Sequence, residues 1–330
     1  MVRFEPVADL RAPWISHPDG VTTIDAEYVR PGFASVHVLE HAGRAVVIDA
    51  GANASVPLVL RALSGLGIDP AAVDWLFLTH VHLDHAGGAG ALLERLPRAR
   101  AIVHPRGAPH LVAPARLEAA TIAVYGQQAF ERLYGKLVPI AEERIHRTAD
   151  GERVPFGGRE LLVLHTPGHA MHHQVLFDPE ARAVFSGDTF GLSYRELDSD
   201  AGAFILPTTT PTQFDPEQLL ESVRRIVELD PQSVYLTHYG RVSGAPALAR
   251  ALREQIERFV ELAREHAAAP HRHERIRSAL REYLVERARA HGLAEPAALV
   301  DRVLASDLEL NAQGLVAWLE RTEKRPAIGA

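Results

Sequence analysis

Short, apolar, β-rich runs alternate with helical stretches over residues 1–244. The apolar runs are bounded by Gly, Pro or polar residues, and they predict strands over 23–29, 35–40, 44–50, 75–79, 160–166, 174–177, 183–186 and 233–237. Apolar positions at helical spacing predict helices over 56–66, 88–96, 116–134 and 215–229. This alternation is typical of the mixed α/β class.

The pattern changes after residue 244, where strand signals stop. Leu248, Leu252, Ile256 and Phe259 recur at helical spacing, and further helices are predicted over 274–290, 296–304 and 312–322. Asn311 has the residue type of an N-cap and is predicted to begin the last helix. We therefore predict two regions, a catalytic domain over 1–244 and a helical C-terminal region over 245–330.

Composition and charge narrow the classes of function. Hydrophobic residues make up 47% and charged residues 23% of the 330 residues, and 35 basic against 42 acidic side chains leave a formal charge of −7. No basic excess points to nucleic acid, and no apolar run approaches the roughly 18–20 residues of a membrane span. The first 19 residues carry charges where a signal peptide would have an apolar core. We expect a cytoplasmic protein that acts on a small molecule, with neither nucleic acid nor membrane as partner.

Histidine, present 18 times, supplies the candidate chemistry, because cysteine is absent and no thiolate nucleophile or ligand can exist. The densest cluster is Thr79-His-Val-His-Leu-Asp-His85, after an apolar strand. His80 and His82 are two residues apart and project the same way in an extended chain. Asp84 and His85 fall where the chain turns into a helix, so one loop could serve two ions. Imidazole and carboxylate suit zinc or iron, and the alternative is a loop of solvated histidines.

The order His80-x-His-x-Asp-His85 resembles the signature of the metallo-β-lactamase superfamily. Three further blocks of that pattern follow along the chain: Thr166-Pro-Gly-His169, Gly187-Asp188-Thr189 and Tyr235-Leu-Thr-His238. The resemblance implies a four-layer αββα sandwich, with the site at one edge and the helical C-terminal region as an extension. It would also explain why Trp75–His80 and Val234–His238 both end in Thr-His, as in a duplicated sheet.

The resemblance also implies a dinuclear metal site with two divalent ions, zinc foremost and iron or manganese as alternatives. His80, His82 and His169 would bind the first ion, and Asp84, His85 and His238 the second. Asp188 would bridge the two, and Asp84 and Asp188 would be the catalytic carboxylates. A hydroxide shared by the ions would then be the nucleophile.

Three further residues are candidates for supporting roles. Asp49 ends a strand, and in the superfamily an aspartate there supports the metal site; capping the next turn is the alternative. His173 matches a histidine of the superfamily that follows the third ligand, and a buried structural residue is the preferred interpretation. Tyr194 could hydrogen-bond a substrate carbonyl, as a tyrosine does in some lactonases of the superfamily, and ordinary loop packing is the alternative.

The predicted function is that of a dinuclear hydrolase in which the metal-bridging hydroxide attacks a small ester, lactone or thioester. A mononuclear iron oxidoreductase of the persulfide-dioxygenase type, with iron held at His80, His169 and Asp188, is the rival from another class. We expect the helical tail to pack against the sandwich. Covering the cleft, forming a homodimer interface, or both are the alternatives, and the homodimer rests on analogy with such hydrolases.

Overall fold

The structure is a computed structural model that describes residues 14–209 and 212–324, except for the side chains of residues 124 and 125. These residues form two compact units. The sheet unit contains residues 14–165, His172–Gly187 and Pro231–Ser243, and the helical unit contains Thr166–Met171, Asp188–Asp230 and residues 244–324. The boundary predicted between residues 244 and 245 stays a prediction.

The first sheet of the sheet unit has seven strands that lie in chain order. They are β1 (Trp14–Ser16), β2 (Val21–Asp25), β3 (Ser35–His41), β4 (Arg44–Ile48), β5 (Val73–Phe77), β6 (Arg100–Val103) and β7 (Ile145–Arg147). The strands from β1 to β4 pair antiparallel, and those from β4 to β7 pair parallel. Each parallel step needs a crossover, which helices supply. The carboxyl ends of β4 and β5 therefore lie at the same edge.

The second sheet has six strands in the order β13-β12-β11-β10-β9-β8. They are β8 (Arg153–Phe156), β9 (Arg159–His165), β10 (Gln174–Asp178), β11 (Ala183–Gly187), β12 (Ser233–Leu236) and β13 (Gly240–Val242). The pair β11 and β12 is parallel, while the other neighbours are antiparallel. The two Thr-His strands seen in the sequence are β5 of the first sheet and β12 of the second, as a duplicated sheet would place them.

The two sheets pack face to face through a shared apolar core. Ile48 and Phe77 of the first sheet and Leu176 and Phe185 of the second belong to one fully buried cluster. Each such side chain contributes about 1.5–3 kcal/mol through removal from water. The opposite face of the first sheet packs on helices, because its outward residues share a second cluster with α1 and α3.

Six helices of the sheet unit lie between the strands: α1 (Val56–Gly65), α2 (Leu83–Ala86), α3 (Ala89–Arg95), α4 (Ala108–Val112), α5 (Ala115–Tyr125) and α6 (Gln127–Leu133). The single helix predicted over 116–134 is wrong, since α5 and α6 are separate. Gly126 lies between them with φ +81°, a left-handed conformation that a helix interior does not contain. The apolar spacing continues across this break, so the periodicity alone did not reveal it.

The helical unit contains α7 (Pro216–Glu228), α8 (Ala245–Glu265), α9 (Arg272–Ala290), α10 (Pro296–Val303) and α11 (Ala305–Glu323). Asp215 caps α7 by accepting a hydrogen bond from the backbone of Gln218, as the Asp-Pro start predicts. The prediction that Asn311 is an N-cap is wrong, because α11 begins earlier and Asn311 is buried within it. Its side chain instead accepts hydrogen bonds from the backbone and hydroxyl of Thr209 at 2.6 and 3.0 Å.

Membrane insertion through a helix finds no support in the fold. None of the helices within 14–209 and 212–324 combines the length and the apolar character that a bilayer crossing requires.

Candidate metal centre

The histidine-rich segment runs from the end of β5 into α2. The chain stays extended up to His82, which precedes the first residue of α2 with φ −63° and ψ 149°. The side chains of His80 and His82 therefore project the same way, as their spacing predicts. The Nε2 atom of His80 lies 2.8 Å from the Nδ1 atom of His82.

Asp84 and His85 occupy the first turn of α2 and meet His238, which follows β12. The Oδ2 atom of Asp84 lies 3.6 Å from Nε2 of His85 and 3.3 Å from Nε2 of His238. The three potential ligand atoms all lie within 4.8 Å of one another. Two imidazole nitrogens and one carboxylate oxygen form a donor set that fits a divalent ion such as zinc or iron. The sheet unit therefore contains a candidate metal-binding group.

Asp49, one residue past β4, is the centre of the hydrogen bonds behind this group. Its buried carboxylate accepts from the backbone N–H and the hydroxyl of Thr79, from Nδ1 of His85 and from the hydroxyl of Thr237, all at 2.9–3.0 Å. A buried carboxylate is costly unless donors surround it, and four donors do so here. Because Nδ1 of His85 donates to Asp49, its Nε2 carries the lone pair and faces Asp84 and His238.

The backbone of Asp49 is unusual as well. Its φ of +61° lies in the left-handed region, which costs a non-glycine residue roughly 1 kcal/mol or more. The turn aims the carboxylate back toward the end of β5 rather than along the chain. The supporting role predicted for Asp49 thus has the hydrogen-bond geometry it needs, and the hydrogen bonds at the ends of β5 and β12 come from Thr79 and Thr237.

The ring of His238 is oriented by the loop before β3. Nδ1 of His238 donates to the backbone carbonyl of Phe33 at 2.9 Å, and the phenyl ring of Phe33 packs edge-on against the imidazole with centroids 5.3 Å apart. Donation through Nδ1 leaves Nε2 as the atom that faces Asp84. His85 and His238 are therefore both held in the tautomer that a metal ligand needs.

The helical unit brings His169 and Asp188 together. Nε2 of His169 lies 3.5 Å from Oδ2 of Asp188, and both side chains are buried. Nδ1 of His169 is 2.6 Å from the hydroxyl of Thr208. The turn before His169 is held by Ser222 of α7, whose hydroxyl donates to the carbonyl of Pro167 at 2.6 Å. The Pro-Gly-His and Gly-Asp blocks thus give a second histidine and carboxylate pair.

Gly187 shows why a glycine precedes Asp188 and where His173 lies. The φ of Gly187 is +48°, and a Cβ atom there would come within 2.6 Å of Nε2 of His173 and 2.7 Å of Cβ of Thr79. A side chain at this position would collide with both. His173 is fully buried and stacks on His80 with centroids 5.0 Å apart. Its preferred interpretation as a buried structural residue agrees with this packing.

Tyr194 is buried in the helical unit. Its hydroxyl donates to Oδ1 of Asp307, in the first turn of α11, at 3.1 Å. This contact serves packing between a loop and a helix of the same unit. The predicted contact of Tyr194 with a substrate carbonyl stays a prediction.

Two buried histidines outside the predicted ligand set have depressed pKa values. Burial lowers the pKa of His37, in β3, to about 4 against the opposing hydrogen bond to the carbonyl of Leu236. Burial, with a smaller contribution from the neighbouring His165, also lowers the pKa of His104 to about 4. Both imidazoles are therefore neutral at pH 7.

Sequence reasoning missed some residues that orient the predicted ligands. Thr208 lies in a Thr-rich segment, and nothing in its spacing links it to His169, 39 residues earlier. The carbonyl of Phe33 is a backbone group, and any residue type could supply it.

Comparison with known proteins decides the family. The sequence matches the metallo-beta-lactamase superfamily over residues 29–238, which is more than half of the chain. The chain belongs to the metallo-beta-lactamase superfamily. The predicted αββα sandwich with a helical C-terminal extension is confirmed, because this superfamily, the two packed sheets and the helices after residue 245 agree.

Relatives within the superfamily resemble the chain over different shares of its length. The metallo-beta-lactamase fold-containing protein ST1585 of Sulfurisphaera tokodaii is 29% identical over 218 residues, covering 64% of this chain and 75% of that protein. A hydroxyacylglutathione hydrolase of Synechococcus is 35% identical over 132 residues, which span 40% of this chain but only 39% of the hydrolase. The crystal structure of the superfamily protein ST1585 from Sulfolobus tokodaii superposes with a TM-score of 0.60 at 23% identity, covering 90% and 98% of the two chains. This last likeness shows the fold.

Proposed function

We propose that the protein is a metal-dependent hydrolase with two divalent ions, which cleaves the acyl bond of a small ester, lactone or thioester. The observation that carries the proposal is the group of Asp84, His85 and His238, whose ligand atoms face one another while buried partners hold both imidazoles in the ligand tautomer.

The ligand assignment is the one that the resemblance to the superfamily implies. Asp84, His85 and His238 would hold one ion, and His80, His82 and His169 the other, with Asp188 shared between them. Chain connectivity supports a shared role for Asp188. Asp188 directly follows Gly187, the last residue of β11, and β11 is the parallel neighbour of β12, the strand that leads to His238. Parallel neighbours end at the same edge of a sheet.

Bound ions of this kind lower the pKa of a water molecule to near 7 and polarise a carbonyl oxygen. The chain itself supplies orientation and charge. Asp49 fixes the ring of His85, Phe33 fixes the ring of His238, and the carboxylates of Asp84 and Asp188 offset the positive charge. No serine or cysteine nucleophile is then required.

The nature of the substrate rests on the relatives. The name of the Synechococcus relative denotes hydrolysis of an acyl conjugate of glutathione. It favours an acyl thioester over the phosphodiester that a nuclease would cleave, and the net charge of −7 agrees with that choice. We therefore place thioesters first, ahead of lactones and simple esters.

The test combines metal analysis with turnover of the 330-residue chain. We expect about two zinc or iron ions per chain and hydrolysis of one class in a panel of thioesters, lactones and phosphodiesters. Asp188→Ala should remove the paired ions and reduce turnover by at least a hundredfold, while circular dichroism stays unchanged. Asp200→Ala, an exposed aspartate of the same unit, is the matched control and should leave both intact.

Two results would contradict the proposal. Full turnover in Asp188→Ala would remove its shared role. One iron per chain together with oxygen consumption would replace the hydrolase with the iron oxidoreductase of the rival hypothesis.

A further inference from the structure

The start of β3 presents two polar side chains to the second sheet. Side chains alternate along a strand, and Val36 and Val38 belong to the apolar cluster on the helix side of the first sheet. Ser35 and His37 consequently point the other way, where the ring of His37 packs against Tyr235 of β12 with centroids 5.3 Å apart. Both polar residues are 1% exposed.

These two side chains bind the backbone just before His238. The carbonyl of Thr237 accepts from the N–H of Ser35 at 2.8 Å and from its hydroxyl at 3.0 Å. The carbonyl of Leu236 accepts from the same hydroxyl at 3.1 Å and from Nε2 of His37 at 3.0 Å. The last two peptide carbonyls before His238 are therefore held by β3, and the ring of His238 is held by Phe33, two residues before Ser35.

The donor role of His37 is fixed by its other nitrogen. A carbonyl only accepts, so Nε2 carries the proton and Nδ1 must accept. The hydroxyl of Thr23 lies 3.2 Å from Nδ1 and so donates to it, while Nε2 of His17 lies 3.1 Å from the same hydroxyl and donates in turn. This chain of hydrogen bonds directs the Nε2–H of His37 toward the carbonyl of Leu236, its nearest acceptor at 3.0 Å, with the hydroxyl of Ser35 farther away at 3.4 Å.

We propose that Ser35 and His37 are positioning residues for His238, which hold the end of β12 so that this imidazole meets Asp84 and His85. The inference rests on the proposed function, in which His238 binds an ion. The hydrogen bonds act on the backbone rather than on the ring. Their loss therefore removes no ligand side chain but lets the segment 236–238, and His238 with it, shift. Partners that orient a metal ligand typically contribute 10–100-fold to affinity.

The experiment measures metal affinity in the full chain rather than activity. Zn²⁺ binding is titrated against a chromophoric chelator, and the visible absorption of Co²⁺-loaded protein reports the ligand geometry. His37→Leu removes the donor to Leu236, whereas His37→Gln retains a side-chain N–H of similar reach. Ser35→Ala removes only one oxygen atom and serves if His37→Leu does not fold. Val38→Ala is the matched control, because it creates a cavity in the same strand on the opposite face.

We expect His37→Leu and Ser35→Ala to weaken the affinity for one ion about tenfold to a hundredfold and to alter the Co²⁺ spectrum. His37→Gln should restore the affinity to within about threefold of the parent protein, and Val38→Ala should leave it unchanged. Unchanged affinity in His37→Leu and Ser35→Ala would overturn the inference, and so would an equal loss in Val38→Ala. His238→Ala separates the two levels: if it does not weaken binding, the proposed ligand set itself fails.

Discussion

Replacement of Asp49 by asparagine tests the tautomer argument directly. The oxygen of the new amide can still accept from the backbone N–H and hydroxyl of Thr79, the contacts made by Oδ1. Its NH₂ group takes the place of Oδ2, which accepts from Nδ1 of His85 and from the hydroxyl of Thr237. The NH₂ group of the asparagine and the Nδ1–H group of His85, both hydrogen-bond donors, then face each other. The imidazole can relieve the clash by moving its proton to Nε2, and it then offers no lone pair to an ion.

The magnitude follows from the bonds lost. Hydrogen bonds to a charged group contribute about 1.5–3 kcal/mol each, and two of those made by Asp49 change partner. The hydroxyl of Thr237 can rotate and accept from the amide, which recovers part of the loss. We expect Asp49→Asn to lower the free energy of unfolding of the metal-free protein by about 2–4 kcal/mol. The affinity for one ion should fall by about 10–100-fold.

Two measurements on the same sample give these quantities. Urea unfolding in the presence of a chelator gives the stability without metal, and competition with a chromophoric chelator gives the Zn²⁺ affinity. Asp69→Asn is the matched control, since Asp69 accepts one hydrogen bond from the backbone N–H of Ala71, which an asparagine can also accept. It should change the stability by less than about 0.5 kcal/mol.

The reasoning would be refuted if Asp49→Asn bound Zn²⁺ as tightly as the parent protein. Such a result would mean that the proton on Nδ1 of His85 has no influence on the metal centre. A loss of stability without a loss of affinity would assign to Asp49 a structural role alone, that of joining the ends of β5 and β12.

Two further predictions concern a buried histidine and an orienting hydroxyl. Burial lowers the pKa of His37 to about 4, below its value of 6.5 in the unfolded chain. As the pH falls, the unfolded chain therefore binds a proton at His37 before the folded chain does. The contribution of His37 to the free energy of unfolding is complete above pH 6.5 and declines by about 3 kcal/mol toward pH 4. Urea unfolding of metal-free protein at pH 7.5 and 4.5 should show this decline in the parent but a smaller one in His37→Gln, and equal declines would contradict the assignment. Thr208→Val removes the hydroxyl at Nδ1 of His169 and should weaken binding of one Zn²⁺ by about tenfold in the same chelator titration. Thr322→Val, which loses only a hydroxyl bonded to carbonyls of its own helix, should bind as the parent does, and an equal affinity in Thr208→Val would remove Thr208 from the site.

Most of the fold followed from local patterns, and the exceptions have physical causes. Apolar β-rich runs predicted the central strands, because these strands are buried on both faces. Helical spacing predicted the long helices, because a helix buries one face. The break at Gly126 was missed since the apolar spacing runs through it, and Asn311 was misplaced because its residue type suits a cap while its partner Thr209 lies 102 residues away. Short strands such as β1 and β13 have too few residues to show a period.

The candidate site, like the fold, was predictable where the signal is local in sequence and was not where it depends on distant partners. Ligand residue types and spacings are visible in the sequence, because a metal accepts few donors. The orienting groups are harder to predict. Threonine is common outside metal sites, so Thr208 does not stand out, and the carbonyls of Phe33 and Leu236 are backbone groups that any residue could supply. Asp49 could be suggested only through the resemblance to a family, while its four donors became apparent only in three dimensions.

The carboxylate of Asp49 has a mechanical consequence for the sheet unit. Thr79 follows a strand of the first sheet and Thr237 follows a strand of the second, so this one side chain ties both layers together at their shared edge. Any sliding of one layer over the other must break those bonds and separate His85 from His238. Metal occupancy is then thermodynamically linked to the alignment of the layers, and a bound ion resists their separation by RT ln(1 + [M]/Kd). The apolar side chains between the sheets would thereby help to determine how tightly the proposed metal centre holds an ion.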